Sequence, residues 1–286
     1  MPSPRRSFDE VLAQAVADLT DHGFDSAQRV EFWTRQLEEA AQRVAGSAHQ
    51  REEHLRRGLE TIYRRLVERG GLLRRHRGVG RFVLERVRPH LRAELDRRIW
   101  ASADLIRLNR RRAVDETLQR FKGWASSIPA GGSDTTNRRE VKHDVARSLG
   151  SLTFEERRVT IDQGHKLATS LSDILARDGG ALAGRWHSNW RQRNYNYRED
   201  HRERDGVVYA VRGNWALAAG LMTAPDGYTD DITGAGEEIN CRCYYEWIYA
   251  LRDLPREMFT KKGREALEQA RGRSSRADAD GPALTA

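Results

Sequence analysis

Cysteine is nearly absent: Cys241 and Cys243 are the only two in 286 residues. That excludes a disulfide framework. Residues two apart on a strand point the same way and are poorly placed to bond each other, so the pair reads as two free thiols suited to a reducing cytosol. Long apolar runs are missing as well. No stretch approaches about 18 apolar residues, so no membrane span or anchor is expected. The N-terminal MPSPRRSFDE has no apolar region of the kind a signal peptide needs, so none is expected. No Walker pattern, Gly-rich phosphate loop, HExxH or internal repeat occurs.

Charge is abundant: 32% of residues are charged against 38% hydrophobic, with a formal net charge of +8 and a pI near 9.8. A compact sphere has little use for so much charge, whereas exposed helices have a large watered face, so an elongated helical first half is expected. A basic balance suits nucleic acid, an acidic membrane or an acidic protein face. The alternative is solvated helix surface, because Glu and Asp are interspersed with the arginines at spacings that allow i,i+4 pairs.

Helical signals dominate up to residue 180. Ser7 and Glu10 read as a capping box. Behind them Phe8, Val11, Leu12, Ala15, Val16 and Leu19 recur at helical spacing, up to His22-Gly23. Asp25 or Ser26 starts a second helix with Val30, Trp33, Leu37, Ala41 and Val44, ending at Gly46-Ser47. A third carries Leu55, Leu59, Ile62, Tyr63 and Leu66, up to Gly70-Gly71. Pro89 fits the first turn of a long fourth helix, whose stripe through Leu91, Leu105, Leu108 and Phe121 is interrupted by the basic cluster Arg110-Arg111-Arg112. Ile128 to Asp134, with Pro and paired Gly, is either a loop within a domain or a linker. Helical patterning resumes at Arg138, is expected to pause at Gly150, and returns from Phe154 behind a second capping box at Thr153 and Glu156. From Trp186 to Tyr249 the chain turns aromatic-rich, with short strands expected at Val207–Val211 and Cys241–Ile248 and a turn at Pro225-Asp226-Gly227. A last helix follows Thr260, and the polar tail from Ser274 is expected to be disordered.

One constellation carries chemistry: Arg198-x2-His201-x3-Asp205-Gly206, then Pro225, then Asn240-Cys241-Arg242-Cys243. In a metal reading, Cys241, Cys243 and His201 form a soft N/S site for zinc, with Asp205, His187 or water as the fourth ligand. In a structural reading there is no cofactor. His201 then bonds a backbone carbonyl or Asp205, and the thiols act as small apolar fillers. Arg198 and Arg242 bridge Asp200, Asp205 or Glu246, Gly206 supplies a positive-φ turn and Asn240 satisfies backbone before the strand. A Cys activated by His201 would be a nucleophile, yet nothing else marks a catalytic site, so no enzymatic activity is expected.

In these residues the chain resembles the Mu F-like phage head-morphogenesis (minor head/capsid) protein family, whose C-terminal domain shows a Trp, R-x2-H-x3-D-G, a Pro-containing middle and N-C-R-C. The matching positions are Trp186 or Trp190, Arg198, His201, Asp205, Gly206, Pro225, Asn240, Cys241, Arg242 and Cys243. The likeness spans about residues 150–250, and Val207 to Met222 departs from it. It implies an α+β fold, with a long helical N-terminal region followed by a small aromatic-rich domain with short antiparallel strands. The corresponding division is a basic helical domain at 1–128, a Mu F-like domain at 138–258, and a terminal helix and tail at 259–286. The resemblance further implies a minor head protein in the virion head, assembled in the host cytoplasm against portal and major capsid protein; the basic charge adds non-specific contact to packaged DNA as an expectation. The competing expectations are a plain DNA-binding protein and a toxin-like effector with a Cys/His site.

Overall fold

The computed structural model describes residues 6–24 and 26–279, with side chains to residue 271. The class is α+β: long helices precede a small three-stranded antiparallel sheet. No described helix is long and apolar enough to cross a membrane. By packing, the chain forms two compact units, each drawn from two stretches: residues 1–58 with 99–161, and 59–98 with 162–286. The chain passes between them inside three continuous helices, so the units do not follow a single linear boundary.

The first unit is built on α1 (Phe8–His22), α2 (Ala27–Ala45) and the adjoining parts of α3 (Ala48–Tyr63), α5 (Arg81–Ala125) and α6 (Arg138–Asp178). The Ser7–Glu10 capping box forms in both directions. The anticipated stripe of α1 is buried against Trp33, Leu37 and Ala41 of α2 and against Val114 and Phe121 of α5. The Asp18 carboxylate ties α1 to α2, accepting from Arg29 at 2.8 Å and from the Trp33 indole at 2.7 Å. The turn at 128–134 is no free linker. It docks on the end of α1, where Phe24 N–H donates to Pro129 and Ser133 N–H to Thr20. Glycine is required at this contact: a Cβ on Gly23 would lie 2.2 Å from the Pro129 carbonyl oxygen. Of the Arg110–Arg112 cluster, Arg110 faces inward. It binds buried Glu156 at 2.6 Å and caps the Ala45 and Gly46 carbonyls at the end of α2.

Several expectations along the helices need correction. Pro89 lies inside α5, which starts at Arg81, so one backbone bond is forgone on a solvent-facing turn. No pause occurs at Gly150, because α6 is continuous from Arg138 to Asp178. The glycine sits on an open face, and buried Leu149 and Leu152 flank it. Glu156 therefore serves as the partner of Arg110 and Arg51 rather than as a cap. Val44, Leu105 and Leu108 are exposed, while Ile106 takes the buried position on α5. The third helix loosens into a π turn at Arg64–Glu68 before the short α4 (Gly71–Arg75).

The second unit holds the sheet, in the order β2-β1-β3: β1 (Ala183–His187) lies between β2 (Val208–Ala210) and β3 (Tyr244–Ile248). Sequence patterning anticipated β2 and β3 but not the central strand. One face gathers Trp186, Tyr209, Tyr245, Trp247 and both cysteines, and the other packs on Met222, Met258 and Phe259. Gly184 has no side chain because the Tyr245 and Trp247 rings cross it, within 2.9 and 3.1 Å of where a Cβ would stand. The short helices α7 (Glu199–Glu203) and α8 (Trp215–Ala218) lie in the connections. α9 runs Lys261–Ala279, so the stretch from Ser274 to Ala279 is helical rather than disordered. Residues 280–286 of that expected tail lie outside the described residues.

Candidate metal centre

His201 stands on α7 and is 1% exposed, its ring edge-on to Trp186 at 5.3 Å. The Asp205-Gly206 turn follows at once. Gly206 adopts the expected positive φ, +88°, and its N–H bonds the Trp186 carbonyl at 2.8 Å. This contact brings β2 alongside β1 and fixes α7 over the aromatic face. The cysteines arrive from the other side of the sequence. They lie in the extended lead-in to β3 and not in the strand itself. Asn240, at φ +59°, turns the chain into that lead-in, and its N–H donates to Asp162 of α6 at 2.7 Å. An Asn tolerates this left-handed conformation better than most residues.

Three donor atoms converge there. His201 Nδ1 lies 3.5 Å from Cys241 Sγ and 3.5 Å from Cys243 Sγ. All three atoms lie within 4.8 Å of one another, and both cysteines are free and fully buried. These distances suit a metal. Tetrahedral zinc, with bonds of about 2.3 Å to sulfur and about 2.0 Å to nitrogen, places N and S about 3.5 Å apart. The far nitrogen faces carboxylates without a hydrogen bond: His201 Nε2 lies 3.5 Å from Glu238 Oε2 and 3.8 Å from Asp200 Oδ2. A carboxylate behind a histidine fixes the ring and raises its basicity as a ligand. The residues thus form a His/Cys/Cys triad able to bind a metal.

The thiols are primed unequally. Cys241 is pushed down, chiefly because the Cys243 thiol donates to it, helped by backbone N–H groups of Cys243 and Gly236 and by nearby His201. Cys243 is pushed up, first because its proton is held in the hydrogen bond to Cys241, then by burial and by the charge on that sulfur.

The remaining motif residues support the triad rather than join it. Asp205 does not reach the sulfurs. Its carboxylate accepts from Ser188 N–H at 2.9 Å and the Trp190 indole at 3.0 Å, and the Ser188 bond holds its pKa below the usual carboxylate range. His187 is not a ligand either: it stacks on Tyr244 and faces Glu246 at 3.2 Å. Arg198 pairs with Glu238 at 2.6 Å and caps the Ile239 carbonyl, in place of the Asp200, Asp205 or Glu246 bridge expected. Arg242 offers its backbone N–H to the Tyr195 hydroxyl at 3.1 Å, with its guanidinium over that ring. Sequence reasoning missed Glu238, Tyr195, Asn189, His165 and Asp162. The Tyr195 hydroxyl also reaches the Asn240 carbonyl, Asn189 donates to the Arg242 carbonyl, and His165 meets the Cys243 carbonyl at 3.1 Å. No local spacing marks these five: Tyr195, Asn189, His165 and Asp162 act across the chain on the backbone of the cysteine loop, and Glu238 acts from that loop on the distant Arg198 and His201. Comparison with family models, curated proteins and solved structures found no match.

Proposed function

We propose that the chain is a minor head protein of a tailed bacteriophage, associated with portal and inner capsid and acting in head assembly and in DNA packaging or delivery. One observation carries the reading. The two halves of the Mu F-like motif, Arg198 to Gly206 and Asn240 to Cys243, close on each other through His201 and the two sulfurs. In this proposal the triad holds zinc, which supplies a cross-link between α7 and the lead-in to β3, as structural zinc does in small folds. A structural role suits the burial of all three donors, since a catalytic thiol must be reached by its substrate. The virion head is the proposed location, the host cytoplasm the place of assembly, and portal and major capsid proteins the partners.

The test is mass spectrometry of particles from producing cells, separated into heads, tails and free lysate. Recovery in heads at a small fixed ratio to major capsid protein is expected. Recovery in lysate alone would overturn the virion reading.

A further inference from the structure

Some exposed helical arginines lean on a carboxylate three or four residues away, as Arg56 does on Glu53, Arg92 on Asp96 and Arg97 on Glu94. Residues 64–81 gather the densest run of arginines without such a partner. They contain seven arginines and one acid, Glu68, a formal +6 of the chain's +8. All seven arginines are exposed, and among the described residues none makes an ion pair. The backbone beneath them is anchored: Leu66, Val67, Leu72 and His76 are buried, and His76 bonds Ser172 and Tyr249. The charges are therefore presented from an ordered π turn, a helical turn and the start of α5 within one compact unit.

We propose that residues 64–81 form a binding surface for the phosphate backbone of duplex DNA. Guanidinium forks match phosphate oxygens, and backbone contacts need no base reading. Single strands are disfavoured as the partner, because their readers interleave aromatic rings with the charge, and here Phe82 alone is exposed beside the segment. An acidic membrane is disfavoured too, since Leu66, Val67 and Leu72 are buried and Phe82 is the single large apolar side chain exposed beside the segment, too little for an inserting face. The inference stands on this surface alone and does not depend on the virion reading.

The experiment measures binding of the full chain to a labelled duplex of arbitrary sequence across a salt series. Each phosphate met contributes about −0.9 to the slope of log affinity against log salt, so full engagement gives about −6. Arg74→Ala/Arg75→Ala/Arg77→Ala should flatten the slope by about 2.7 and weaken binding at least tenfold at low salt. The Lys triple at the same positions should keep the slope. A control removing three paired arginines, Arg56, Arg107 and Arg112, should change it little. Equal losses in the two Ala triples would overturn the proposal, as would tighter binding to anionic vesicles or single strands than to duplex. Circular dichroism melts of each variant separate loss of binding from loss of fold.

Discussion

His76 and His201 are buried in the same compact unit, each against an aromatic ring, yet their nitrogens meet different chemistry. His76 is closed by oxygen: Nδ1 meets the Tyr249 hydroxyl and Nε2 the Ser172 hydroxyl at 3.0 Å. Both ring nitrogens are satisfied by neutral partners, and burial pushes its pKa down to about 4, so it stays uncharged. His201 instead turns Nδ1 to two sulfurs, which are weak hydrogen-bond partners, while Nε2 has no hydrogen bond and faces a carboxylate at 3.5 Å. A buried histidine with satisfied nitrogens needs nothing more. One backed by a carboxylate and facing two thiols has the donor set of a metal site.

Metal removal should separate the two most strongly. Stripping the chain with a chelator should lower Tm by about 10 °C or more, because metal binding and folding are coupled in such sites. The same treatment should leave a Cys241→Ser/Cys243→Ser variant unchanged. A smaller loss is expected at the other histidine. His76→Leu leaves two hydroxyls unpaired, costs about 2–4 kcal/mol, and should not alter metal content. Calorimetry with metal analysis reads both.

The pH profile sharpens the contrast further. His76 has a depressed folded pKa, so its stabilisation is present above about 6.5 and is lost as pH falls through about 4. Asp173 works the other way. Burial raises its carboxyl to about 7, so stability falls as pH rises from about 4 through 7. Asp173→Asn should therefore melt higher than the parent at pH 8, by about 1–3 kcal/mol, and should expose the acid loss due to His76. Equal melting of the two at pH 8 would contradict the assignment. The smallest effect is expected at Gly206→Ala. Nothing lies within 4 Å of its Cβ position, so only the φ of +88° matters, at about 1 kcal/mol.

The helices were legible because local chemistry decides them: the Ser7–Glu10 box, the α1 stripe and the stop at Gly23 are all as the sequence indicates. So was the His201/Cys241/Cys243 cluster, since the chain has only two Cys, although Asp205 and His187, offered as a fourth donor, stand outside it. The central strand β1 was not. Ala183–His187 is short, offers only Trp186 as a large apolar side chain, and becomes a strand through Gly184 lying under Tyr245 and Trp247. The continuity of α6 across Gly150 escaped for a related reason, because flanking core residues override a glycine's low propensity. Glu238 and Asp162 were hidden because their partners, Arg198 and Asn240, lie far away in sequence.

The most direct test is elemental analysis of the full chain purified without chelator, beside His201→Ala and His76→Leu. About one zinc per chain, lost in His201→Ala and kept in His76→Leu, is the predicted result. A folded parent chain free of metal that takes up no cobalt(II) through a thiolate charge-transfer band would contradict the account.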